Sequence, residues 1–532
     1  MAEVDAGSER PAIVFIGFMA AGKSAAARAV AAELGTTAQD SDELVERELG
    51  RPIAEFFERE GEAEFRRREE DLILRMLAGA VADPAPVVIA LGGGAVESER
   101  VRRALSDHLP VWCQVDEETA WERASRDGAR PLAATREEFG RRFAERQPLY
   151  ETLARAILPG GERESAAAAT PWLAALRGLP RVRMAWAESR TGSYPAAVGG
   201  GALDLLEAAG RELESLPDRV FCVADSQALR HHEGLLPHRE QTIAVEGSEG
   251  SKTIAQAERI LAELAAAGAR RDDLVLAFGG GVVGDLAGFC AATYQRGVPL
   301  VQAPTTLVAQ VDSAYGGKTG VDLPAAKNYV GAYHMPLAVL ADPCTLATLS
   351  PEELAAGFVE VIKTALIAGG GLWERVRGIS SLDPAALEDV VFDCARTKIE
   401  VVSEDERDSG RRAVLNLGHT VGHAIETAGG YTRYRHGEAV GLGLLAALRL
   451  SDADGVREEV AGLLRAHGLP TELDPSIEAD AVAEAMGRDK KATREGLGFV
   501  LLPEPGRPSW GELVDPDRVR AAVDELYAGG RS

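Results

Sequence analysis

The sequence has few cysteines and no long hydrophobic run, and each shortage excludes a class of protein. Its five cysteines, spread over 532 residues, form no Cys-x-x-Cys pair. This spacing is typical of reduced, structural thiols and not of a disulfide framework. No stretch approaches the roughly 18–20 apolar residues that a membrane-spanning helix needs, and the acidic segment Met1–Arg10 does not resemble a signal peptide. We therefore expect a cytoplasmic protein without a membrane segment.

Positive charge is also scarce, because acidic residues outnumber basic ones and the formal net charge is −25. A chain with this balance repels nucleic acid and acidic membranes. We therefore expect small-molecule substrates as its partners, with no nucleic acid and no membrane. Local clusters of lysine and arginine become more informative against this background, since they mark candidate sites for small anions.

Two regions alternate apolar strands with amphipathic helices, and a third is mainly helical. Residues 11–177 show the alternation first, and residues 181–350 show it again after a short boundary near Gly178. Alternation of this kind predicts α/β domains with parallel sheets. In residues 351–532 strand signals fade and helical patterns dominate to about Gly468, with one possible late strand at 499–502.

The first phosphate-binding motif is Gly-Phe-Met-Ala-Ala-Gly-Lys-Ser at 17–24, between an apolar run and an alanine-rich helical stretch. In such a loop the backbone N–H groups around Gly17 and Gly22 converge on phosphates, Lys23 reaches the β- and γ-phosphates, and the Ser24 hydroxyl binds Mg²⁺. The motif predicts a P-loop kinase that uses ATP and Mg²⁺. Two acids follow at Asp40 and Asp42; they suit a metal and a substrate hydroxyl, although such a pair is often a solvated turn.

Arginines and glycines farther along extend this pattern: Phe-Arg-Arg at 65–67, Gly-Gly-Gly at 92–94, Arg-Pro at 130–131 and Arg-Gln-Pro-Leu-Tyr at 146–150. In this order and spacing they resemble shikimate kinase across residues 11–177. The resemblance implies Asp40 for Mg²⁺, Asp42 for the shikimate hydroxyl, with a role as base left open, and a lid arginine at Arg130. It also implies substrate contacts from Arg66, Gly92, Gly93, Gly94 and Arg146.

One position departs from that family, because Ala20 replaces its usual third loop glycine. If this position needs a positive φ, alanine introduces strain, and nucleotide affinity or rate would fall. Two alternatives stay open for this half. A gluconate kinase explains the loop but not the arginine pair aimed at a carboxylate, and a degenerate, non-catalytic module has Ala20 as its only hint.

The second motif is Gly-Gly-Gly-Val-Val-Gly-Asp at 279–285, after the apolar run 274–278. Its spacing fits the dinucleotide fingerprint, in which glycines let the backbone approach a pyrophosphate. Farther on, a helical spacing of three and four residues places one set of side chains on a single face: Arg412, Asn416, His419, His423 and Glu426. His419, His423 and His436 with an upstream acid indicate Zn²⁺. A His-x-x-x-His metalloprotease is disfavoured, since Thr420 stands where that motif has its general base.

Taken together these residues resemble 3-dehydroquinate synthase over roughly residues 181–532. The resemblance implies a Zn²⁺ or Co²⁺ site made by Glu360, His419 and His436, and it leaves His423 for the substrate. It implies NAD contacts at Asp225, Glu249, Lys252, Gly280, Gly281, Asp285, Thr305, Thr306 and Thr348. It implies contacts to the phosphate and carboxylate of the substrate at Asp312, Lys318, Lys327, Asn328, Lys363, Lys398, Arg412, Asn416 and His423, of which Lys318, Lys363, Lys398, Arg412 and His423 are also the implied catalytic residues.

Two further expectations follow from the same resemblance. Arg296 would reach across a homodimer interface, and either Lys490 or Lys491 would complete the substrate pocket. The sequence thus predicts a fused enzyme with two activities: ATP-dependent phosphorylation of shikimate, and conversion of a seven-carbon phosphorylated keto-acid (DAHP) to 3-dehydroquinate and phosphate. A zinc-dependent polyol dehydrogenase stays an alternative for the larger half, although a polyol needs no cationic cage.

The predicted fold class is therefore α/β throughout. A P-loop kinase domain with a parallel sheet spans residues 11–177, a dinucleotide-binding α/β part spans 181–350, and a mainly helical part that binds metal and substrate spans 351–532.

Overall fold

The computed structural model describes residues 11–81, 85–126, 135–161, 163–212, 217, 219–324, 326–487, 492–493 and 496–527. The chain divides into two compact units. The first unit extends to Glu188 and includes the later segment Ser193–Pro217. The second unit comprises Ser189–Gly192 and the chain from Asp218 onwards.

The first unit is built on a largely parallel sheet. Its strands are β1 (Ile13–Ile16), β2 (Gln39–Asp40), β3 (Val88–Ala90), β4 (Leu109–Gln114), β5 (Ala156–Pro159), β6 (Arg183–Glu188) and β7 (Ser193–Val198). They lie in the order β2-β3-β1-β4-β5-β6-β7, and β7 runs antiparallel to β6. The central strand β1 reads Ile-Val-Phe-Ile and is buried along its whole length. Helices cover both faces of a parallel sheet, so its central strands are apolar on both faces.

Helices pack around this sheet: α1 (Lys23–Glu33), α2 (Ser41–Leu49), α3 (Ile53–Glu60), α4 (Glu62–Val81), α5 (Glu99–Leu105), α6 (Glu117–Arg126), α7 (Arg136–Leu153), α8 (Arg163–Leu176) and α9 (Asp204–Glu212). The phosphate-binding motif follows β1, Asp40 ends β2, and the glycines at 92–94 follow β3. Because β2, β3 and β1 are adjacent and parallel, their carboxyl ends bring these groups to one edge of the sheet.

The second unit contains a parallel sheet of its own. Its strands are β8 (Val220–Asp225), β9 (Gln241–Val245), β10 (Leu274–Gly279), β11 (Leu300–Pro304) and β14 (Ala338–Ala341), which lie in the order β14-β11-β10-β8-β9. An antiparallel hairpin joins β12 (Lys318–Leu323) to β13 (Ala326–Tyr333). A small antiparallel sheet holds β15 (Ala492–Thr493), β16 (Gly496–Leu501) and β17 (Ser509–Leu513).

The helices of the second unit are α10 (Ser226–His232), α11 (Ile254–Ala266), α12 (Gly281–Thr293), α13 (Pro351–Ala368), α14 (Gly370–Arg377), α15 (Pro384–Glu404), α16 (His419–Ala428), α17 (His436–Leu450), α18 (Asp454–Ala466), α19 (Ala479–Gly487) and α20 (Pro516–Asp524). The helix α13 begins sharply, since the Ser350 hydroxyl accepts a hydrogen bond from Glu353 N and Pro351 stands at the first helical position, both favoured start signals. Ten of its apolar or small residues and the polar pair Glu360 and Lys363 are buried on this helix.

The expected fold class is confirmed, with parallel α/β architecture in both halves and mainly helical structure beyond Ser350. Strand β6 continues the first sheet by pairing with β5, and the first compact unit extends to Glu188. No described helix combines the length and hydropathy needed to cross a bilayer.

Two candidate active sites

The phosphate-binding motif of the first unit forms a tight loop between β1 and α1. Three of its residues have positive φ: Gly17 at 145°, Ala20 at 60° and Gly22 at 82°. Lys23 is buried, and its Nζ donates a hydrogen bond of 2.9 Å to the Phe18 carbonyl oxygen. The loop therefore curls around its own lysine at the start of α1, where backbone N–H groups and the helix dipole favour an anion.

Ala20 has a left-handed backbone conformation. This is the conformation in which alanine, standing where the shikimate kinase family has glycine, introduces strain. A non-glycine residue with φ near 60° costs roughly 1–2 kcal/mol relative to the right-handed region. The loop adopts this conformation despite that cost, and Gly17 and Gly22 on either side also have positive φ.

A cavity of about 530 Å³ opens beside the loop and collects most of the predicted kinase residues. Its lining includes Ser24, Asp40, Asp42, Arg66, Gly92, Gly93, Gly94 and Arg146. Asp40 also caps α2, since its carboxylate accepts hydrogen bonds from Asp42 N at 3.0 Å and Glu43 N at 3.4 Å. The cavity thus joins a phosphate loop, two carboxylates and two guanidinium groups. Arg130 lies outside the described residues.

Two glutamates that the sequence did not single out hold the arginines in place. Arg66 Nη1 donates to Glu69 at 2.6 Å, and Arg146 Nε donates to Glu97 at 2.8 Å. Burial raises the pKa of Glu69, while the charge of Arg66 opposes that rise. Arg146 Nη2 is buried and has no hydrogen-bond partner among the described residues. A buried guanidinium nitrogen in this state is costly unless an acceptor binds it, which suits an anionic ligand.

Two of the three cavity glycines, Gly92 and Gly94, lie close against side chains that line the cavity. A Cβ at Gly94 would stand 2.3 Å from Arg66 Nη1, and a Cβ at Gly92 would stand 2.5 Å from Asp42 Oδ1. Tyr150 donates a hydrogen bond of 2.5 Å to the Gly93 carbonyl and so holds the same segment from behind. The glycine run therefore forms the wall against which Arg66 and Asp42 pack.

The glycine turn of the second unit links β10 to α12 and lies at the carboxyl edge of its sheet. Asp225 ends β8, Gly280 and Gly281 follow β10, and Thr305 and Thr306 follow β11. These strands are neighbours in the sheet, so five of the predicted NAD residues meet at one edge, as ligand sites of open α/β sheets do.

Lys252 joins Asp285, another of the NAD candidates, to the hairpin. Its Nζ contacts Asp285 Oδ2 at 2.5 Å and donates a hydrogen bond to Asn328 Oδ1. Burial raises the pKa of Asp285, and the Lys252 charge opposes that rise. Lys327 on the same hairpin lies 3.6 Å from Glu249, whereas Thr348 shares a 2.7 Å hydrogen bond with His232.

A cavity of about 570 Å³ adjoins this edge, and its lining includes basic, acidic and amide side chains. The predicted residues along it are Asp285, Asp312, Lys318, Asn328, Lys398, Arg412, Asn416 and His419. Arg412 is buried, and its guanidinium donates to the Glu406 carbonyl at 2.7 Å. Lys318 Nζ lies 2.5 Å from Asp408, an acid that sequence spacing gave no reason to expect there.

A chain of charged side chains runs from Lys398 and Asp312 in the cavity wall to the buried Glu360. Lys398 donates to Asp312, and Lys363 Nζ lies 3.8 Å from Asp312 and 2.5 Å from Glu360 Oε2. Burial opposes ionisation of Glu360, yet the Lys363 ammonium and the nearby imidazoles hold its pKa well below its usual range. Each of these alternating charges is compensated by its neighbour, so removing one would leave another charge without a partner.

Glu360, His419 and His436 converge from the helices α13, α16 and α17. Glu360 Oε1 lies 3.6 Å from His419 Nε2 and 3.5 Å from His436 Nε2. This oxygen is buried and forms no hydrogen bond with any described residue, so the three groups fit a divalent metal ion placed between them. Burial lowers the pKa of His419 well below its usual value. The imidazole is therefore neutral, which is the form that binds a metal ion.

His423 lies in the same cluster. The nitrogens of His419, His423 and His436 come within 4.8 Å of one another, so geometry alone does not separate ligand from substrate contact. Burial opposes the charge of His436, but without a metal ion the carboxylates of Glu360 and Glu426 raise its pKa to about 10, so a metal ion that binds at His436 would displace a proton from its ring. Arg296 is exposed at a φ of 72° and does not line the cavity, and Lys490 and Lys491 lie outside the described residues.

These two sites define the class of protein: a P-loop phosphotransferase site in the first unit, and a dinucleotide- and metal-binding site beside a pocket of charged side chains in the second. Comparison with known proteins agrees with both. Residues 19–177 match the shikimate kinase family. Residues 242–356 match the 3-dehydroquinate synthase N-terminal family, and residues 357–492 match its C-terminal family.

Individual relatives support the same assignment. The 3-dehydroquinate synthase of Symbiobacterium thermophilum is 41% identical over 350 residues, which cover 63% of this chain and 98% of that protein. A crystal structure of 2-deoxy-scyllo-inosose synthase complexed with carbaglucose-6-phosphate, NAD⁺ and Co²⁺ is 26% identical, with a TM-score of 0.57, and the match covers 64% of this chain and 99% of that one. The 2-epi-5-epi-valiolone synthase of Streptomyces hygroscopicus, with NAD⁺ and Zn²⁺ bound, is 26% identical with a TM-score of 0.57, covering 63% and 97%.

The chain belongs to the 3-dehydroquinate synthase family and carries a shikimate kinase domain before it. It is therefore a bifunctional enzyme of the shikimate pathway.

Proposed function

We propose that the first unit phosphorylates shikimate with ATP and Mg²⁺, and that the second unit converts DAHP to 3-dehydroquinate and phosphate with NAD⁺ and Zn²⁺ or Co²⁺. The main observation in support is that each unit has a second set of functional side chains near its nucleotide-binding turn, suited to bind the substrate or the metal ion. In the first unit this set is the Arg66 and Arg146 pair. In the second it is the cluster of Glu360, His419 and His436 beside a cavity that Lys318, Lys398 and Arg412 line.

In the first unit each group has one proposed role. The loop N–H groups and Lys23 hold the phosphates, and Ser24 with Asp40 holds Mg²⁺. Arg66 and Arg146 bind the substrate carboxylate, for which the buried Arg146 Nη2 offers a donor. Asp42 shares the cavity with Ser24 and the arginines, so it orients the reacting hydroxyl and accepts its proton. Catalysis then comes mainly from positioning and charge neutralisation.

In the second unit the chain's own side chains bind a multiply anionic substrate. Lys318, Lys398 and Arg412 face the cavity and neutralise phosphate and carboxylate charge, as the family resemblance implies. Lys363 is fully buried against Glu360 and Asp312, so it positions these carboxylates from behind. When bound, NAD⁺ takes up and returns a hydride and the metal ion polarises substrate hydroxyls. His423, beside the ligand cluster, is proposed to contact substrate.

Several expectations remain predictions. They are the three-part division at 177–181 and 350, the homodimer with Arg296 at its interface, and the cytoplasmic location. The family matches at 19–177 and from 357 support the proposed division. Gel filtration combined with an Arg296→Ala variant tests the dimer: loss of DAHP turnover with an unchanged dimer supports a contact from Arg296 to the neighbouring active site.

Two assays on one preparation test the pair of activities. Lys23→Ala should lower shikimate-dependent ADP formation by at least ~10²-fold, because an electrostatic contact to the transferred phosphoryl group is removed. The same variant should release phosphate from DAHP at the wild-type rate. His419→Ala should show the reverse pattern, so each variant controls for the folding of the other. Loss of both activities in a folded variant would contradict independent sites.

Metal content tests the ligand set. His419→Ala and His436→Ala should purify with little zinc, and Glu360→Gln should bind it weakly. His423→Ala should retain zinc yet lose turnover of DAHP. A metal-free His423→Ala protein together with a zinc-loaded His436→Ala protein would replace His436 by His423 as a ligand.

A further inference from the structure

Glu426 stands behind the metal cluster and contacts one of its histidines. It lies on α16, seven residues after His419, and is buried at 9% exposure. Its Oε2 lies 3.3 Å from His436 Nδ1. The other ring nitrogen of His436, Nε2, lies 3.5 Å from Glu360 Oε1. The imidazole is therefore held between two carboxylates, one on each nitrogen.

The two carboxylates have different positions relative to the cluster. Glu360 lies where His419 and His436 converge, whereas Glu426 lies on the Nδ1 side of His436. Because the two nitrogens of an imidazole point in divergent directions, a metal ion at Nε2 is out of reach of an acid hydrogen-bonded to Nδ1. Glu426 is thus placed as a partner of the ligand and not as a ligand itself.

The contact between Glu426 Oε2 and His436 Nδ1, at 3.3 Å, has the geometry of a hydrogen bond. A buried carboxylate is a strong acceptor for an imidazole N–H. Which ring nitrogen of histidine carries the proton is decided by the hydrogen bond that the other makes.

We propose that Glu426 is a positioning residue of the metal site. By accepting the Nδ1–H of His436, it fixes the tautomer that presents the Nε2 lone pair towards Glu360 and His419, and it holds the ring in that orientation. The inference rests on the proposed metal site and adds an outer residue to it. Outer partners of ligand histidines typically contribute 10–100-fold to metal affinity.

Zinc affinity of the full chain provides the test, measured by competition with a chromophoric chelator after metal removal. Glu426→Leu keeps volume and removes the acceptor, so its dissociation constant for zinc should rise ~10-fold to ~100-fold. Glu426→Gln keeps an acceptor oxygen without the charge and should give a smaller rise. Tyr431→Phe is the matched control, since Tyr431 contacts Thr427 near the end of the same helix and should leave zinc affinity unchanged.

If Glu426 serves only to fill space, the result is different: the Glu426→Leu variant would then bind zinc at least as tightly as the Glu426→Gln variant. Wild-type affinity in both Glu426 variants also overturns the proposal. In a His436→Ala background, Glu426→Leu should change zinc affinity by less than ~2-fold, because the imidazole through which it acts is gone; a full additional loss there would contradict action through His436. If His436→Ala itself retains wild-type zinc affinity, the proposed ligand set fails, which is a separate outcome.

Discussion

The two units each connect a buried strand to a helix through a glycine-rich turn, but glycine is needed in these turns for different reasons. In the first unit, Gly22 has a φ of 82°, a conformation that side chains rarely adopt. In the second unit, Gly280 has a φ of −74°, and none of the glycines at 279, 280, 281 and 284 has a positive φ. A Cβ at Gly280 would instead stand 2.8 Å from Thr306 Cγ2.

The difference separates a conformational requirement from a steric one. The first turn must bend back on itself so that its N–H groups converge on phosphate, and that bend uses left-handed residues. The second turn has ordinary backbone angles but packs tightly against the end of β11. A substitution in the first turn therefore strains the backbone of the turn. A substitution in the second turn instead clashes with a neighbouring side chain, which a second mutation can shorten.

Gly22→Ala should have the largest effect, because it combines both penalties. Its backbone is left-handed, and its Cβ would stand 2.5 Å from Gly161 Cα, a backbone atom that cannot be removed. We expect the first unit to lose about 2–5 kcal/mol of stability, from backbone strain and overpacking together. Shikimate-dependent ADP formation should become undetectable while phosphate release from DAHP continues. Chemical denaturation with both assays checks this, and an active, stable variant would refute the conformational account.

Gly280→Ala should cost less, about 1–3 kcal/mol in the second unit, since overpacking is its only penalty. Adding Thr306→Ser removes the methyl group in the way and should restore more than half of the lost stability. Thermal unfolding without NAD⁺ measures this, with Thr306→Ser alone as the control. A double variant no better than Gly280→Ala would mean that the second turn, too, depends on backbone conformation.

The loop at 405–412 in the second unit extends the comparison, since its backbone conformation is stabilised by hydrogen bonds to a carboxylate. Asp405 accepts hydrogen bonds from the backbone N–H groups of Ser409, Gly410 and Arg412 at 2.7–3.0 Å. The bond from Ser409, with those from its neighbours, lowers the pKa of Asp405 to about 2. Asp405→Asn should destabilise this unit by about 1–3 kcal/mol at pH 7.

The pH dependence of that loss follows from the sign of the shift. Because the folded pKa of Asp405 lies below its ordinary value, its stabilising contribution is complete above about pH 4. The contribution is lost as the pH falls through the folded value of about 2. The difference in unfolding free energy between wild type and Asp405→Asn should therefore be constant from pH 6 to 8 and shrink below about pH 4. A difference that grows on acidification would contradict this.

Ala20→Gly should have the smallest effect. Glycine relieves the strain of a φ near 60° but adds conformational freedom to the unfolded chain, and the two contributions, each about 1 kcal/mol, nearly cancel. Kinase turnover should stay the same or rise. Steady-state ADP assays over a range of ATP concentrations check this, and a clear loss of turnover would show that the loop is adapted to alanine.

Local motifs made the nucleotide-binding turns and the histidine helix predictable. Gly22, Lys23 and Ser24 are adjacent, so one strand–turn–helix junction contains the whole phosphate loop. His419 and His423 share a helical face through their spacing alone. Glu97 and Asp408 were missed because each pairs with a cation that is distant in the chain. Glu69 lies three residues after Arg66 on the same helix, so helical spacing was the signal that could have found it.

The sequence by itself determined the two classes of site, their order and the parallel α/β architecture, because glycine turns, helical periodicity and apolar strands are properties of neighbouring residues. Tertiary structure decided what lies across from each motif. It placed Glu360 of α13 against His419 and His436, set Glu426 behind the second of these histidines, and packed Thr306 against Gly280. These contacts join residues that are distant in the chain or belong to different elements, and their geometry arises only when the helices and strands pack.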